Sequence, residues 1–176
     1  MAHYWRTSTA SPLHQASRRL QEAMAAHDEA TAAGSTARLL ITASTHEDVE
    51  TIARRVHGAG LRATGPFVSV DAISFPLEPR LLQSACAALL DSASGGTLLL
   101  ADVQRLPVTV QRQLIELLAQ IQGDRASAAL VRLMFGTTVC LYARVMEGKF
   151  SERLFYRLNV LQLRSASPSF HAESIH

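Results

Sequence analysis

Apolar residues in this chain fall into two alternating patterns. Arg38-Leu39-Leu40-Ile41-Thr42, Pro66 to Asp71, Thr97-Leu98-Leu99-Leu100-Ala101, Val131 to Phe135 and Asn159 to Leu163 are runs of five or six residues, the length of buried strands rather than helices. Between them apolar positions recur at offsets of three and four, one face of a helix: Val49, Ile52, Ala53 and Val56; Leu81, Leu82, Ala85 and Leu89; Val110, Leu114, Leu117, Leu118 and Ile121. A further helix is predicted after Ser11-Pro12, where serine can cap and proline fits the first turn, with a thin stripe of Leu13, Ala16, Leu20 and Met24. Another is predicted from Thr138 to Met146. Gly34-Ser35, Gly58 to Gly65, Ser94-Gly95-Gly96 and Gly123-Asp124 punctuate the alternation. Five strands alternating with helices predict an α/β fold of three layers, helix, sheet and helix, around a mostly parallel five-stranded sheet.

Length and composition agree with one such domain. With 176 residues, 48% of them hydrophobic, the chain can bury a full core without disulfides or metal. The domain is expected over residues 12–164, after a disordered N-terminus (1–11) and before a turn-rich, flexible tail (165–176). A net charge of +2 is too small to indicate nucleic-acid binding, and Arg18-Arg19 and Arg54-Arg55 read as solvated helix faces. Cys86 and Cys140 lie in apolar stretches and make no disulfide framework, which fits a reducing compartment. The opening segment has no central apolar run, and charges such as Asp102, Arg132 and Arg144 break the later ones, so neither a signal peptide nor a membrane span is expected. The expected location is cytoplasmic. The seven histidines form no HxxxH pattern and there is no CxxC or G-x-S-x-G, so neither a metal nor a simple hydrolase site is expected.

Two stretches carry more than a fold class. Gly95-Gly96-Thr97-Leu98-Leu99-Leu100-Ala101-Asp102-Val103, followed by Leu106-Pro107 and a helix with Gln111 and Leu114, resembles the Walker B region of the AAA+ ATPase core of sigma-54-dependent transcription activators, GGTLFLDE followed by LP and QxxLL. Val131-Arg132-Leu133-Met134, Glu147-Gly148-Lys149-Phe150 and Leu154-Phe155-Tyr156-Arg157-Leu158-Asn159-Val160 are similar to that family's sensor strand and its GRFRxDLYYRLNV segment. The resemblance extends from about Leu39 to Leu163 and implies a P-loop NTPase-like core.

The same resemblance implies which functional positions have changed. The family's first strand runs into GESGTGKE, whose glycines bring backbone amides to the phosphates and whose lysine reaches the terminal ones. The aligned residues here are Ala43-Ser44-Thr45-His46-Glu47-Asp48-Val49-Glu50, without glycine and with Val49 at the lysine position. Independently of the family, Ser44 with Glu47, or Thr45 with Asp48, has the spacing of a capping box, which satisfies the helix amides internally. Glu47, Asp48 and Glu50 put negative charge where a triphosphate would lie.

The family's acidic pair, one residue for magnesium and one for the attacking water, aligns with Ala101 and Asp102. Its sensor asparagine aligns with Thr138. Of its two arginines that reach a neighbour's nucleotide, the first aligns with Ser151 and the second with Arg157, which could act in trans on an active partner. The GAFTGA loop that touches the sigma factor would fall between the second and third strands, where only Ser74 to Ser94 are available. The chain ends after the fifth strand, so the family's helical lid and helix-turn-helix domain are expected to be missing and no direct DNA binding is expected.

The expectation is a degenerate AAA+ core, a pseudo-ATPase without cofactor. It would act through another protein, an intact AAA+ activator or a signalling protein, to regulate transcription, with Phe150, Tyr156 and Arg157 as candidate interface residues. Two alternatives remain open: ATP and magnesium bound in an altered mode through Thr42, Thr45 or Asp102, and a free-standing scaffold unrelated to sigma-54.

Overall fold

A computed structural model describes residues 12–123 and 131–165. The chain runs α1 (Pro12–Ala33), β1 (Leu39–Thr42), α2 (His46–Gly58), β2 (Phe67–Asp71), α3 (Pro79–Ser92), β3 (Thr97–Ala101), α4 (Val108–Gly123), β4 (Arg132–Thr137), α5 (Leu141–Met146), α6 (Glu152–Leu158) and β5 (Leu161–Arg164). Short 3-10 turns follow β2 at Ala72–Ser74 and β3 at Val103–Arg105. The expected disordered segment 1–11 and the tail beyond Ser165 lie outside the described residues, as does Asp124.

All strand pairs are parallel, in the order β2-β3-β4-β1-β5. The central strands have both faces covered, so they read as continuous apolar runs: every residue of β1 and of β3 is buried. Their side chains still alternate between layers. Leu39, Ile41, Leu99 and Met134 pack with Val49, Ile52, Ala53 and Val56 of α2 and with Ala32 and Ala33 of α1. Leu40, Leu100 and Phe135 pack on the opposite face with Leu82, Val110, Leu114, Leu118, Leu154 and Leu158.

Several sequence expectations are corrected. Leu20 and Met24 are 63% and 60% exposed, and the side chains of Leu13 and Ala16 lie outside the described residues. α1 docks instead through its C-terminal end: the small Ala32 and Ala33 allow close approach to α2, and Arg55 of α2 holds Glu29 with two hydrogen bonds of 2.7 and 3.0 Å. In α3 only Leu82 is fully buried and Leu81 is exposed, because the helix covers the edge of the sheet rather than its centre. The helix expected from Thr138 starts at Leu141, since the Thr137 hydroxyl accepts from Val139 N and shapes a turn there. α6 was not anticipated. Its signal is local: Ser151 caps Leu154 N with its hydroxyl, and Leu154, Phe155 and Leu158 follow at helical offsets on the buried face.

Candidate functional site

Ligand sites in parallel α/β sheets form beyond the carboxyl ends of the strands, and Thr45, Asp102 and Thr138 stand there. β1 hands over to α2 through Ala43, whose N–H still bonds Thr137 O at 3.1 Å, and through the exposed Ser44. Of the two possible caps the helix uses Thr45. Its extended backbone lets the hydroxyl accept from Asp48 N at 3.1 Å while donating to Asp48 Oδ2 at 2.8 Å. Glu47 and Asp48 in the first turn face the positive end of the helix dipole.

Val49 turns the other way. It is 1% exposed and lies on the backbone of β4: a Cβ built on Gly136 would meet Val49 Cγ1 at 2.3 Å and Ala101 Cα at 3.5 Å. Gly136 is thus a close-approach glycine for this helix–sheet contact.

Asp102 follows β3 and is 9% exposed, in the left-handed region at φ 54°, ψ 40°, the only such non-glycine among the described residues. Its neighbour Ala101 is 1% exposed. Three side chains surround the carboxylate. His46 Nδ1 lies 3.1 Å from Oδ2, Gln104 Nε2 donates to Oδ1 at 2.9 Å, and Arg105 Nη1 is 4.0 Å from Oδ2. Gln104 Nε2 also donates to Thr138 Oγ1 at 3.0 Å, so Asp102 and Thr138, the positions aligned with Walker B and the sensor, are joined through a residue that the sequence alone does not single out. Asp71, at the end of β2, accepts from Ile73 N at 2.9 Å and comes within 4.8 Å of both His46 and Asp102. Asp71 and Gln104 had only a positional signal, each standing at or just after the carboxyl end of an apolar strand.

The candidate interface residues separate. Phe150 is 4% exposed and sits in the core, so it presents no surface, whereas Tyr156 is 61% exposed. Tyr156, Phe155 and Tyr142 form a chain of ring contacts with centroids 5.3 and 6.0 Å apart. Arg157 is partly buried, and its carbonyl accepts from Arg38 Nη1 at 2.9 Å. Burial, and then the Arg157 charge, lower the Arg38 pKa. Ser151 serves as the α6 cap. Gln111, 1% exposed, donates to Leu106 O at 2.8 Å and accepts from Ser151 N at 2.7 Å, so it ties α4 to the loop before α6.

The five-stranded parallel sheet with helices on both faces is the fold of AAA+ P-loop NTPase domains. A P-loop NTPase domain of a sigma-54 activator from E. coli has the same fold, with a TM-score of 0.59 over 80% of this chain and 98% of that one at 20% identity. The Sigma-54 interaction domain family model matches residues 83–164. The chain is 34% identical to the regulatory protein AtoC of Escherichia coli over a 154-residue alignment (77% of this chain, 33% of AtoC). It is 30% identical to the DNA-binding transcriptional regulator NtrC of Rhizobium meliloti over 155 residues (78% of this chain, 32% of NtrC). NtrX of Brucella abortus, solved in complex with ATP, superposes with a TM-score of 0.68 at 27% identity, over 82% of this chain and 36% of that one. The chain therefore spans about a third of the length of the curated relatives it matches. Among the described residues no helix is long and apolar enough to cross a membrane.

Proposed function

We propose that this domain is a sigma-54 activator-type AAA+ module that has given up ATP hydrolysis and regulates transcription through contacts with another protein. The observation that carries this reading is the filled phosphate position. The first turn of α2 has its Asp48 amide engaged by the Thr45 hydroxyl, carries two carboxylates, and lacks the glycines that let a backbone wrap a phosphate. The residue aligned with the phosphate-binding lysine, Val49, is packed on Gly136 and offers no cation. The residues present therefore do not fit ATP and magnesium in the way a glycine-rich loop would hold them.

The protein-contact half of the proposal is supported by the exposed side chains of Tyr142, Met146 and Tyr156 on α5 and α6, next to the position of Arg157. Arg157 is the candidate for supplying positive charge in trans to a partner's nucleotide. Calorimetric titration with ATP and with ADP, in the presence of magnesium, tests the first half. No saturable heat is expected at millimolar nucleotide, and saturation at micromolar nucleotide would overturn the reading. The second half is tested with an intact sigma-54 activator: Arg157→Ala should change its ATPase rate or its capture by this domain, and identical behaviour of the variant would remove the trans-acting role.

A further inference from the structure

The cluster at the carboxyl edge of the sheet has a composition that sequence spacing does not reveal. His46 opens α2, Asp71 ends β2 and Asp102 follows β3, so the three are separated by 25 and 31 positions yet present one ligand atom each within 4.8 Å of one another. His46 Nδ1 and Asp102 Oδ2 are already 3.1 Å apart. Two ligands of a tetrahedral zinc ion, each about 2.0–2.2 Å from the metal, stand roughly 3.4 Å apart. Bringing Asp71 from a separation of up to 4.8 Å to that spacing requires closing about 1.4 Å.

The surroundings point the same way. Asp102 is a nearly buried carboxylate held by a neutral amide and an imidazole, and the guanidinium of Arg105 stands 4.0 Å off on an exposed side chain. Buried carboxylates are ordinarily paired with a cation or bound to a metal. Gln104, whose amide nitrogen contacts Asp102 and Thr138, has its Oε1 buried with no hydrogen-bond partner. Through that nitrogen Gln104 holds Asp102 Oδ1 and leaves Oδ2, the oxygen beside His46, as the ligand atom. Ile73 N–H meanwhile orients the Asp71 carboxylate from the outer shell, as partners of metal ligands do.

We infer that His46, Asp71 and Asp102 form a binding site for a divalent transition-metal ion of the zinc type, held by the protein without nucleotide and tying the start of α2 to the ends of β2 and β3. One imidazole with two carboxylates suits Zn2+ and Co2+ better than a hard ion that prefers an all-oxygen shell. His46 is the residue that makes this possible, and it stands within the segment aligned with the phosphate loop. The proposal does not depend on the pseudo-ATPase reading, because its ligands are the protein's own and its test contains no nucleotide.

The test is calorimetric titration of ZnCl2 into chelator-treated protein, repeated with His46→Ala and Asp71→Asn, with circular dichroism to verify that each variant is folded. One saturable site is expected, weakened at least tenfold in each variant. Cobalt substitution supplies an independent readout: the visible d–d bands of bound Co2+ should appear with the wild-type protein and disappear with His46→Ala. Absence of saturation at millimolar zinc would overturn the inference. So would equal binding by wild type and both variants, which would place the ion on other histidines of the chain.

Discussion

The contact between Val49 and Gly136 is where the phosphate-loop argument meets core packing, and it can be measured. Adding a methyl to Gly136 would place Cβ 2.3 Å from Val49 Cγ1. Gly136 lies in β4 and its backbone is not left-handed, so the penalty is steric rather than conformational. Val49 cannot easily turn aside, because a β-branched side chain in a helix has one strongly preferred rotamer. Overpacking of this kind costs about 1–3 kcal/mol, partly offset by roughly 0.5 kcal/mol from the lower chain entropy of alanine in the unfolded state. Val49→Ala removes two buried carbons, about 0.8 kcal/mol each in transfer, plus a cavity contribution, so about 2 kcal/mol. In the double variant the new methyl fills the space that Cγ1 leaves. Its total loss should therefore be no greater than that of Val49→Ala alone, and the coupling energy should be about 1–2 kcal/mol. Urea denaturation of the four proteins, with unchanged slopes, measures this; in melting temperature each kcal/mol corresponds to roughly 2–4 °C for a domain of this size. If Gly136→Ala is as stable as wild type, or if the two losses add to within about 0.5 kcal/mol, then Val49 does not occupy the position argued here.

Two further outcomes are expected. The His57 pKa is lowered by burial, with the Arg132 and Arg54 charges adding to the effect against a hydrogen bond involving the Gly65 backbone. Because the folded value lies below the unfolded one, His57 contributes stability that is present above about pH 6.5 and is lost as pH falls through that value toward the lower folded pKa. Denaturation midpoints of His57→Gln should therefore fall less than those of wild type between neutral and mildly acidic pH, and parallel curves would contradict the assignment. Burial also raises the Cys86 thiol to about 11, whereas Cys140 is exposed. Iodoacetamide at mildly alkaline pH should label Cys140 first, as read by peptide mass, and equal labelling rates in the folded protein would show that Cys86 is not shielded.

Much of the architecture was legible because the sheet is parallel and its central strands are covered on both sides. Leu39 to Ile41 and Leu98 to Leu100 had to read as uninterrupted apolar runs, and the helix over them had to show Val49, Ile52, Ala53 and Val56 at one angular position. Motif spacing around Gly95-Gly96 and Leu154 to Val160 marked the family before any coordinates. Local capping chemistry was legible too, as Thr45 with Asp48 demonstrates. Errors arose where burial depends on what lies across from a helix: Leu20, Met24 and Leu81 fit a periodic stripe yet face solvent, and the bulky Phe150, read as an interface residue, fills the core.

The sequence by itself determined the alternation of strands and helices, the family, and the absence of glycine and lysine between Ala43 and Val49, since all of these are local properties of neighbouring residues. Only the tertiary structure decided which residues share the carboxyl edge of the sheet. Parallel pairing in the order β2-β3-β4-β1-β5 brings His46, Asp71 and Asp102 together and places Gln104 between Asp102 and Thr138. Crossover connections through whole helices separate those residues along the chain by distances that carry no periodic signal. Their juxtaposition is a consequence of strand order, and strand order is settled by the packing of the entire domain.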